Sequence, residues 1–311
     1  MLRAGLEKVA AELRGEALWD EPMSQHTALR VGGPADLFIE PADLADLKDA
    51  VAALVSSGIP YFVLGGGYNL LVRDGGIRGC VISLRGLDGL KPMPGARLEV
   101  GAGVTNGMLC RIAAENCLAG IEFLCGIPGS FGGAVAMNAG AHGDETLRRV
   151  ETLTTLRQGE IVVQKGGELQ YGYRYLTLAP GEIVVAARLR LEPAERRVIE
   201  ERMAGYLSLR GGSQRVAFPS AGSFFKNPPG GQAWRLIDQA GLRGVSVAGA
   251  QVSEVHANFL VNRGGARGTD FLALAALVKL RVQESCGVVL EEEVRIVGED
   301  RIAERETRGS S

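Results

Sequence analysis

The sequence predicts an α+β protein of two units, and three observations carry that expectation. A strand, helix, strand order runs from Ala35 to Gly65, and glycine clusters at 65–67, 75–76, 129–133 and 264–265 border apolar, β-branched segments. After a charged stretch from Glu192 to Arg215, a second run of about 100 residues has helices and strands of its own.

The elements follow in order. Leu6 to Arg14 has helical spacing, and ALRVGGPADLFIEP reads as a turn leading into a strand over Ala35 to Ile39. From Asp43 to Ser57, Leu44, Leu47, Val51, Leu54 and Val55 share one helical face, with Asp43 as the cap and Gly58 as the stop. Strand Tyr61 to Gly65 ends on the glycine turn GGGYN. CVISL and RLEVGAG read as strands and Thr105 to Asn116 as a helix, before the long glycine-rich loop GIEFLCGIPGSFGGAVAMNAGAHG. VETLTTL, EIVVQK and EIVVAARLRL read as strands, with YGYRY among them. The stretch from Glu192 starts with Pro193 and reads as a helix leading to a boundary near residue 197. Beyond it come helix QAWRLIDQAGL, strand-like VSVAGAQVS, the run HANFLVN, a helix over Phe271 to Cys286 and a last strand, VVLEEEVRIVG. No internal repeat is evident.

Composition excludes several classes. The 311 residues are 46% hydrophobic and 23% charged, as in ordinary soluble globular proteins. With 34 Lys plus Arg against 36 Asp plus Glu, the net charge of -2 gives no reason to expect a nucleic-acid partner. The N-terminus is charged and amphipathic, unlike a secretory signal, and no apolar run reaches the roughly 18 residues of a membrane span. Five scattered cysteines without a CxxC pair fit buried free thiols in a reducing cytoplasm. Glycine, at 44 residues, is about twice its usual share of roughly 7%.

Five motifs carry chemistry. LGGGYNLL has three glycines after an apolar strand, a layout for an anion-binding nest of backbone N–H groups, or simply a tight turn. It matches neither G-x-G-x-x-G nor a P-loop, and GAGVTN lacks the third glycine of a dinucleotide fingerprint. With GIPGSFGGAVAMNAGAHG it makes two glycine loops about 60 residues apart, which suits a ligand with two ends such as FAD. Tyr173 and Arg174 in YGYR can hold a carboxylate or phosphate, or form a solvated surface pair.

PSAGSFFKNPP (Pro219 to Pro229) sets Ser223 between a glycine and two aromatics and beside Lys226, either as a built site or as a Pro-bounded loop anchored by Phe224 and Phe225. In LEEEVRIVG, alternation puts Glu291 and Glu293 on one face and Glu292 on the other, a pattern that also describes a solvated edge. His26, His142 and His256 offer no metal set.

Taken in order, LGGGYNLL, GIPGSFGGAVAMNAG, YGYR, PSAGSFFKNP, VSEVHANFLVN and LEEEVRIVG resemble the UDP-N-acetylenolpyruvoylglucosamine reductase family, from about Ser24 to Gly298. The short interval between YGYR and PSAG resembles the family's shorter second type. The resemblance implies an FAD-binding domain of the vanillyl-alcohol-oxidase or PCMH type, with two α/β subdomains, plus a smaller α+β substrate domain. Residues 1–29 are then a lead-in, 30–196 the FAD domain, 197–298 the substrate domain and 299–311 a polar, disordered tail.

It also implies a soluble, cytoplasmic, monomeric oxidoreductase of peptidoglycan synthesis, serving cell wall, cell shape and cell division. NADPH would reduce noncovalently held FAD, and flavin N5 would deliver hydride to C3 of the enolpyruvyl ether. Ser223 matches the general acid for C2, Arg174 the residue that pins the carboxylate and Glu293 the catalytic glutamate. Tyr173, Lys226, Asn227, His256 and Asn258 are the implied substrate contacts. The implied FAD contacts are Leu64, Gly65, Gly66, Gly67, Tyr68, Asn69 and Leu70, with Gly126, Ile127, Pro128, Gly129, Ser130, Gly132, Gly133, Ala134, Asn138 and Gly140.

Three departures stand out. Tyr68 replaces the serine of the usual GGGSN, Leu176 replaces a serine, and Ser213, Gln214 and Arg215 stand where KQP is common. Arg210 or Arg215 is the candidate replacement for that lysine at the substrate's diphosphate. The rival readings are another flavin oxidase of the same fold and a silent FAD-binding protein.

Overall fold

The computed structural model describes residues 2–214 and 216–301, so Arg215 and the tail from 302 lie outside the described residues. The chain divides into two compact units. One takes the N-terminal segment to Glu21, Asp36–Tyr68 and Gly79–Ala217; the other takes Pro22–Ala35, Asn69–Arg78 and the chain from Phe218.

The first unit holds two sheets. One has the order Glu16–Pro22, Pro34–Glu40, Ile77–Ser83, Tyr61–Leu64, and its last two strands run parallel from Tyr61 opposite Cys80 to Leu64 opposite Ser83. Parallel strands need a crossover, and here the intervening chain includes helix Leu44–Ser56. That helix starts where the Asp43 carboxylate accepts the Asp46 N–H at 2.9 Å, and Gly58 just past its end has φ +63°. Its face Leu47, Val51 and Leu54 packs with Leu37, Ile39 and Ile82 of the sheet and with Leu6 and Val9 of helix Leu2–Glu12. The strand Glu16–Pro22 has no counterpart in the sequence expectation. Its burial is mixed, without the alternation that marks a half-buried strand.

The second sheet is antiparallel, in the order Glu160–Lys165, Val150–Arg157, Ile183–Arg190, Arg97–Gly101, Leu90–Met93. Helix Asn106–Glu115, capped by the Thr105 hydroxyl, and helix Phe131–Ala136 pack on its core around Leu98, Leu109, Phe131 and Leu153. The long glycine loop is therefore not wholly loop, because Ser130 Oγ accepts the Gly133 N–H at 3.3 Å and starts a helical turn and a half.

Helix Arg196–Gln214, which the sequence places beyond a boundary near 197, packs against Glu122–Gly126 and counts with the first unit. Arg202 meets the buried carboxylate of Glu122 at 3.3 Å, and Tyr206 stacks on His142 with centroids 4.2 Å apart.

The second unit has an antiparallel sheet in the order Ser220–Ser223, Phe259–Asn262, Ala250–Val252, Ser246–Val247. Helices Ala233–Gln239 and Gly268–Cys286 cover it, burying Phe224, Phe225, Ile237, Phe271, Leu274 and Val278 in one core. The expected last strand is shorter than its sequence run: Arg295–Val297 pairs in parallel with Leu70–Val72, and of the three acids only Glu292 forms a bridge, to Phe225. No helix among the described residues is long and apolar enough to cross a membrane.

Candidate active site

The two glycine loops of the first unit meet. A Cβ on Gly65 would lie 2.9 Å from Ser130 Oγ, and one on Gly66 would lie 2.8 Å from Gly129 Cα and 3.2 Å from Ser130 N. Only glycine lets two backbones come this close, and Gly67 and Gly129 add φ values of +69° and +125°. Beside the contact opens a cavity of about 390 Å³, walled by Leu64, Gly65, Gly66 and Tyr68 on one side and by Ile127, Pro128, Gly129 and Ser130 on the other.

This space fits an FAD contact on three counts. Five of its lining residues are glycines, which leave room for a close approach, none is Asp or Glu, and its single charged lining residue among the described ones is the cation Arg85. Thr105 and Gly103 of the GAGVTN segment also line it. That segment lacks a dinucleotide fingerprint, and its two glycines after an apolar strand are its sequence signal for a site.

Other implied FAD residues serve the protein itself. Asn138 is 0% exposed, donating to Glu145 and to the Gly172 carbonyl, both at 3.0 Å, and accepting from Leu147 N at 3.1 Å. Both of its N–H donors are used, so it fixes the YGYR turn from within the protein. Gly132 is needed against Ala102, where a Cβ would come within 2.6 Å, and Gly140 against Asp144 of its own hairpin. Gly133 and Ala134 lie in the short helix, and Gly126 faces the Arg210 side chain, whose guanidinium burial holds below its ordinary pKa. Leu70 is buried in its strand, and Asn69 Nδ2 donates to the Glu293 carbonyl at 3.0 Å, so both belong structurally to the second unit.

Tyr173 and Arg174 form the tip of the hairpin Tyr171–Gly172 with Tyr175–Leu176. Arg174 has φ +65°, a conformation that costs a non-glycine residue on the order of 1 kcal/mol, and its guanidinium sits 5.0 Å from the Tyr173 ring centroid. The strained tip is held from below by Asn138 on Gly172.

In the second unit, Ser223 ends the strand Ser220–Ser223 opposite Phe259, after a bulge in which Gly222 has φ +75°. Phe224 and Phe225 are almost fully buried, with rings 5.2 Å apart, so they clamp the chain just after a half-buried serine. Glu293 N donates to the Phe224 carbonyl at 2.8 Å and Phe224 N to the Asn258 carbonyl at 2.7 Å. Hence the backbones of Ser223, Glu293 and the HANF run are brought together, which separate sequence motifs do not reveal.

Asn258 is 3% exposed and both its amide atoms bind Phe225, at 3.0 and 2.8 Å, so its side chain holds the Phe225 backbone in place. Asn258→Ala leaves both Phe225 backbone groups unpaired, and a loss of about 2–4 kcal/mol in denaturant unfolding is expected. Asn227 Oδ1 accepts the Ala233 N–H at 3.1 Å, and the Lys226 ammonium pairs with Glu291 at 3.3 Å while Lys279 pairs with Glu292 at 3.0 Å.

His256 is packed beside Phe259 and Trp234, with its Nδ1 buried and without a hydrogen-bond partner among the described residues. Burial, then the nearby Arg243 charge, lowers its pKa from 6.5. A depressed histidine binds fewer protons folded than unfolded, so its contribution is present above pH 6.5 and lost as pH falls through its folded pKa. Thermal melts from neutral to acid pH should show this loss in the native protein and less of it in His256→Gln.

The cysteines are free; Cys117 is exposed, against the expectation that all are buried, and burial pushes the Cys80 thiol up to about 12. No cluster of metal-ligating side chains occurs among the described residues.

Comparison with known proteins agrees with this arrangement. Residues 35–170 match the family described as FAD binding domain, and 214–297 match UDP-N-acetylenolpyruvoylglucosamine reductase, C-terminal domain. The reductase of that name from Geobacter metallireducens is 59% identical over 293 residues, 94% of this chain and 98% of its own, and that of Geobacter sulfurreducens is 56% identical over 293 residues with the same coverage. The crystal structure of the enzyme from Thermus caldophilus superposes with a TM-score of 0.79 at 38% identity, covering 91% of this chain and 99% of that one. With relatives at this identity aligned over nearly their whole length, the chain belongs to the UDP-N-acetylenolpyruvoylglucosamine reductase family, the FAD-dependent oxidoreductases of peptidoglycan synthesis.

Proposed function

We propose that the chain works as a cytoplasmic monomer with NADPH as electron donor, reducing the enolpyruvyl ether of UDP-N-acetylglucosamine to UDP-N-acetylmuramate. Residues 30–196 serve the flavin and lend Tyr173 and Arg174 to the substrate, and 197–298, whose first helix packs with the first unit, serve the substrate. The observation that carries the chemistry is the mount of Ser223: a half-buried hydroxyl at a strand end, fixed by two buried phenylalanines and by the backbone of Glu293.

Bound FAD would supply hydride transfer between NADPH and C3 of the substrate. The protein's part is to manage the charge and the proton that this transfer demands. Arg174 holds the substrate carboxylate bidentately and neutralises charge as the enolate forms. The Ser223 hydroxyl gives its proton to C2, and the resulting alkoxide is replenished from solvent. Glu293 orients and polarises the intermediate. Tyr173, Lys226, Asn227 and His256 contact substrate, and Asn258 acts through Phe225. The flavin contacts are Leu64–Tyr68 and Gly126–Ser130.

Because the Arg174 side chain is assigned to the carboxylate, Arg174→Ala is expected to lower kcat/KM by about 10²–10³-fold without loss of bound flavin. The whole reading is tested by following NADPH oxidation by flavin-loaded protein. Consumption that depends on UDP-N-acetylglucosamine enolpyruvate supports it, and consumption indifferent to that compound sinks it.

A further inference from the structure

Of the residues lining the cavity between the glycine loops, none is Asp or Glu and one, Arg85, is charged. That asymmetry is informative in a chain whose acids outnumber its bases by 36 to 34. Elsewhere arginines tend to sit on carboxylates: Arg97 on Glu151, Arg149 on Asp144, Arg243 on Asp238. Among the described residues no carboxylate pairs with Arg85, whose side chain is exposed beside the cavity.

The backbone carrying Arg85 is firmly held. It follows the buried strand Ile77–Ser83, and the Arg85 N–H donates to Ser83 Oγ at 3.4 Å while that hydroxyl donates to Glu40 at 3.0 Å. A Cβ on Gly103 would come within 2.3 Å of the Leu84 carbonyl oxygen and 2.6 Å of that of Arg85, so the Gly103 main chain presses directly on this segment. The opposite wall has no charged lining residue among the described ones, although the Arg210 side chain approaches the neighbouring Gly126. Tyr68 lays its ring against Gly66 and Gly129, and the Phe131 and Gly132 N–H groups are already donating to Val104 and Ala102 at 2.7 and 2.9 Å.

We propose that Arg85 supplies the side-chain positive charge that meets the diphosphate of bound FAD. A guanidinium presents a planar fork to phosphate oxygens and keeps its charge at every working pH. The inference rests on the flavin lying in this cavity, and its test must separate the two claims.

Release of FAD from the holoenzyme is followed by flavin fluorescence for the native protein and for Arg85→Lys, Arg85→Gln and Arg85→Glu, at low salt and at about 1 M salt, where the Debye length is near 3 Å. Release should quicken in the order Lys, Gln, Glu, by roughly tenfold to a hundredfold for Gln at low salt, and the spread should narrow at high salt. Unchanged release by Arg85→Glu overturns the proposal, as does an equal, salt-independent loss in Gln and Glu, which would signal packing. If the charge serves the extra phosphate of NADPH instead, flavin release stays native while preference for NADPH over NADH falls, which also overturns it. Gly66→Val tests the placement separately. If it sheds flavin while Arg85→Glu does not, only the role of Arg85 fails; if neither does, both claims fall.

Discussion

Ser223→Ala is expected to leave reduction of the bound flavin by NADPH nearly unchanged and to slow its reoxidation by substrate by about 10²–10⁴-fold, the range lost when a positioned proton donor is removed. The substitution deletes one oxygen from a half-buried strand end, while Phe224 and Phe225 keep their core positions and the Phe224 backbone keeps its bonds to Asn258 and Glu293. Unfolding is therefore not the route by which activity is lost, and an unchanged melting temperature would show that. Stopped-flow measurement of the two half-reactions decides the matter. Equal slowing of both would move Ser223 from proton donation to flavin binding.

Gly66→Val should cost the protein its flavin. The new Cβ would meet Gly129 Cα at 2.8 Å and Ser130 N at 3.2 Å, both backbone atoms of the facing loop that no rotamer change can clear. Overpacking of this kind costs about 1–3 kcal/mol, equivalent to roughly tenfold to a hundredfold in retained FAD if the strain falls on the cavity. Gly205→Ala is the matched control, since a Cβ there meets nothing within 4 Å inside helix Arg196–Gln214. The flavin-to-protein absorbance ratio of the purified variants reads the outcome, with Gly205→Ala expected at the native ratio.

Much of this was legible because the signals are local. Asp43 caps its helix, the apolar stripe Leu47, Val51, Leu54 faces the core, and the three antiparallel strands between Val150 and Arg190 follow their β-branched runs. The glycine clusters at 65–67 and 129–133 marked close approach, and the approach is to each other. What sequence could not show is which polar side chains turn inward. Asn138 and Asn258 stand in motifs that read as ligand contacts, and both side chains also bind backbone groups that must be satisfied once buried. Nor does spacing reveal that Asn69 reaches Glu293, 224 positions along the chain, because that contact depends on the parallel pairing of Leu70–Val72 with Arg295–Val297. Arg85 likewise belongs to no motif and gains meaning only from the cavity it lines.

The most direct test is a single turnover. Holoenzyme reduced anaerobically with one equivalent of NADPH is mixed with one equivalent of UDP-N-acetylglucosamine enolpyruvate, and the flavin's visible absorbance and the nucleotide product are followed together. Full return of the oxidised spectrum with one equivalent of UDP-N-acetylmuramate is the predicted result. Flavin that stays reduced, or that reoxidises without forming that product, would contradict the account.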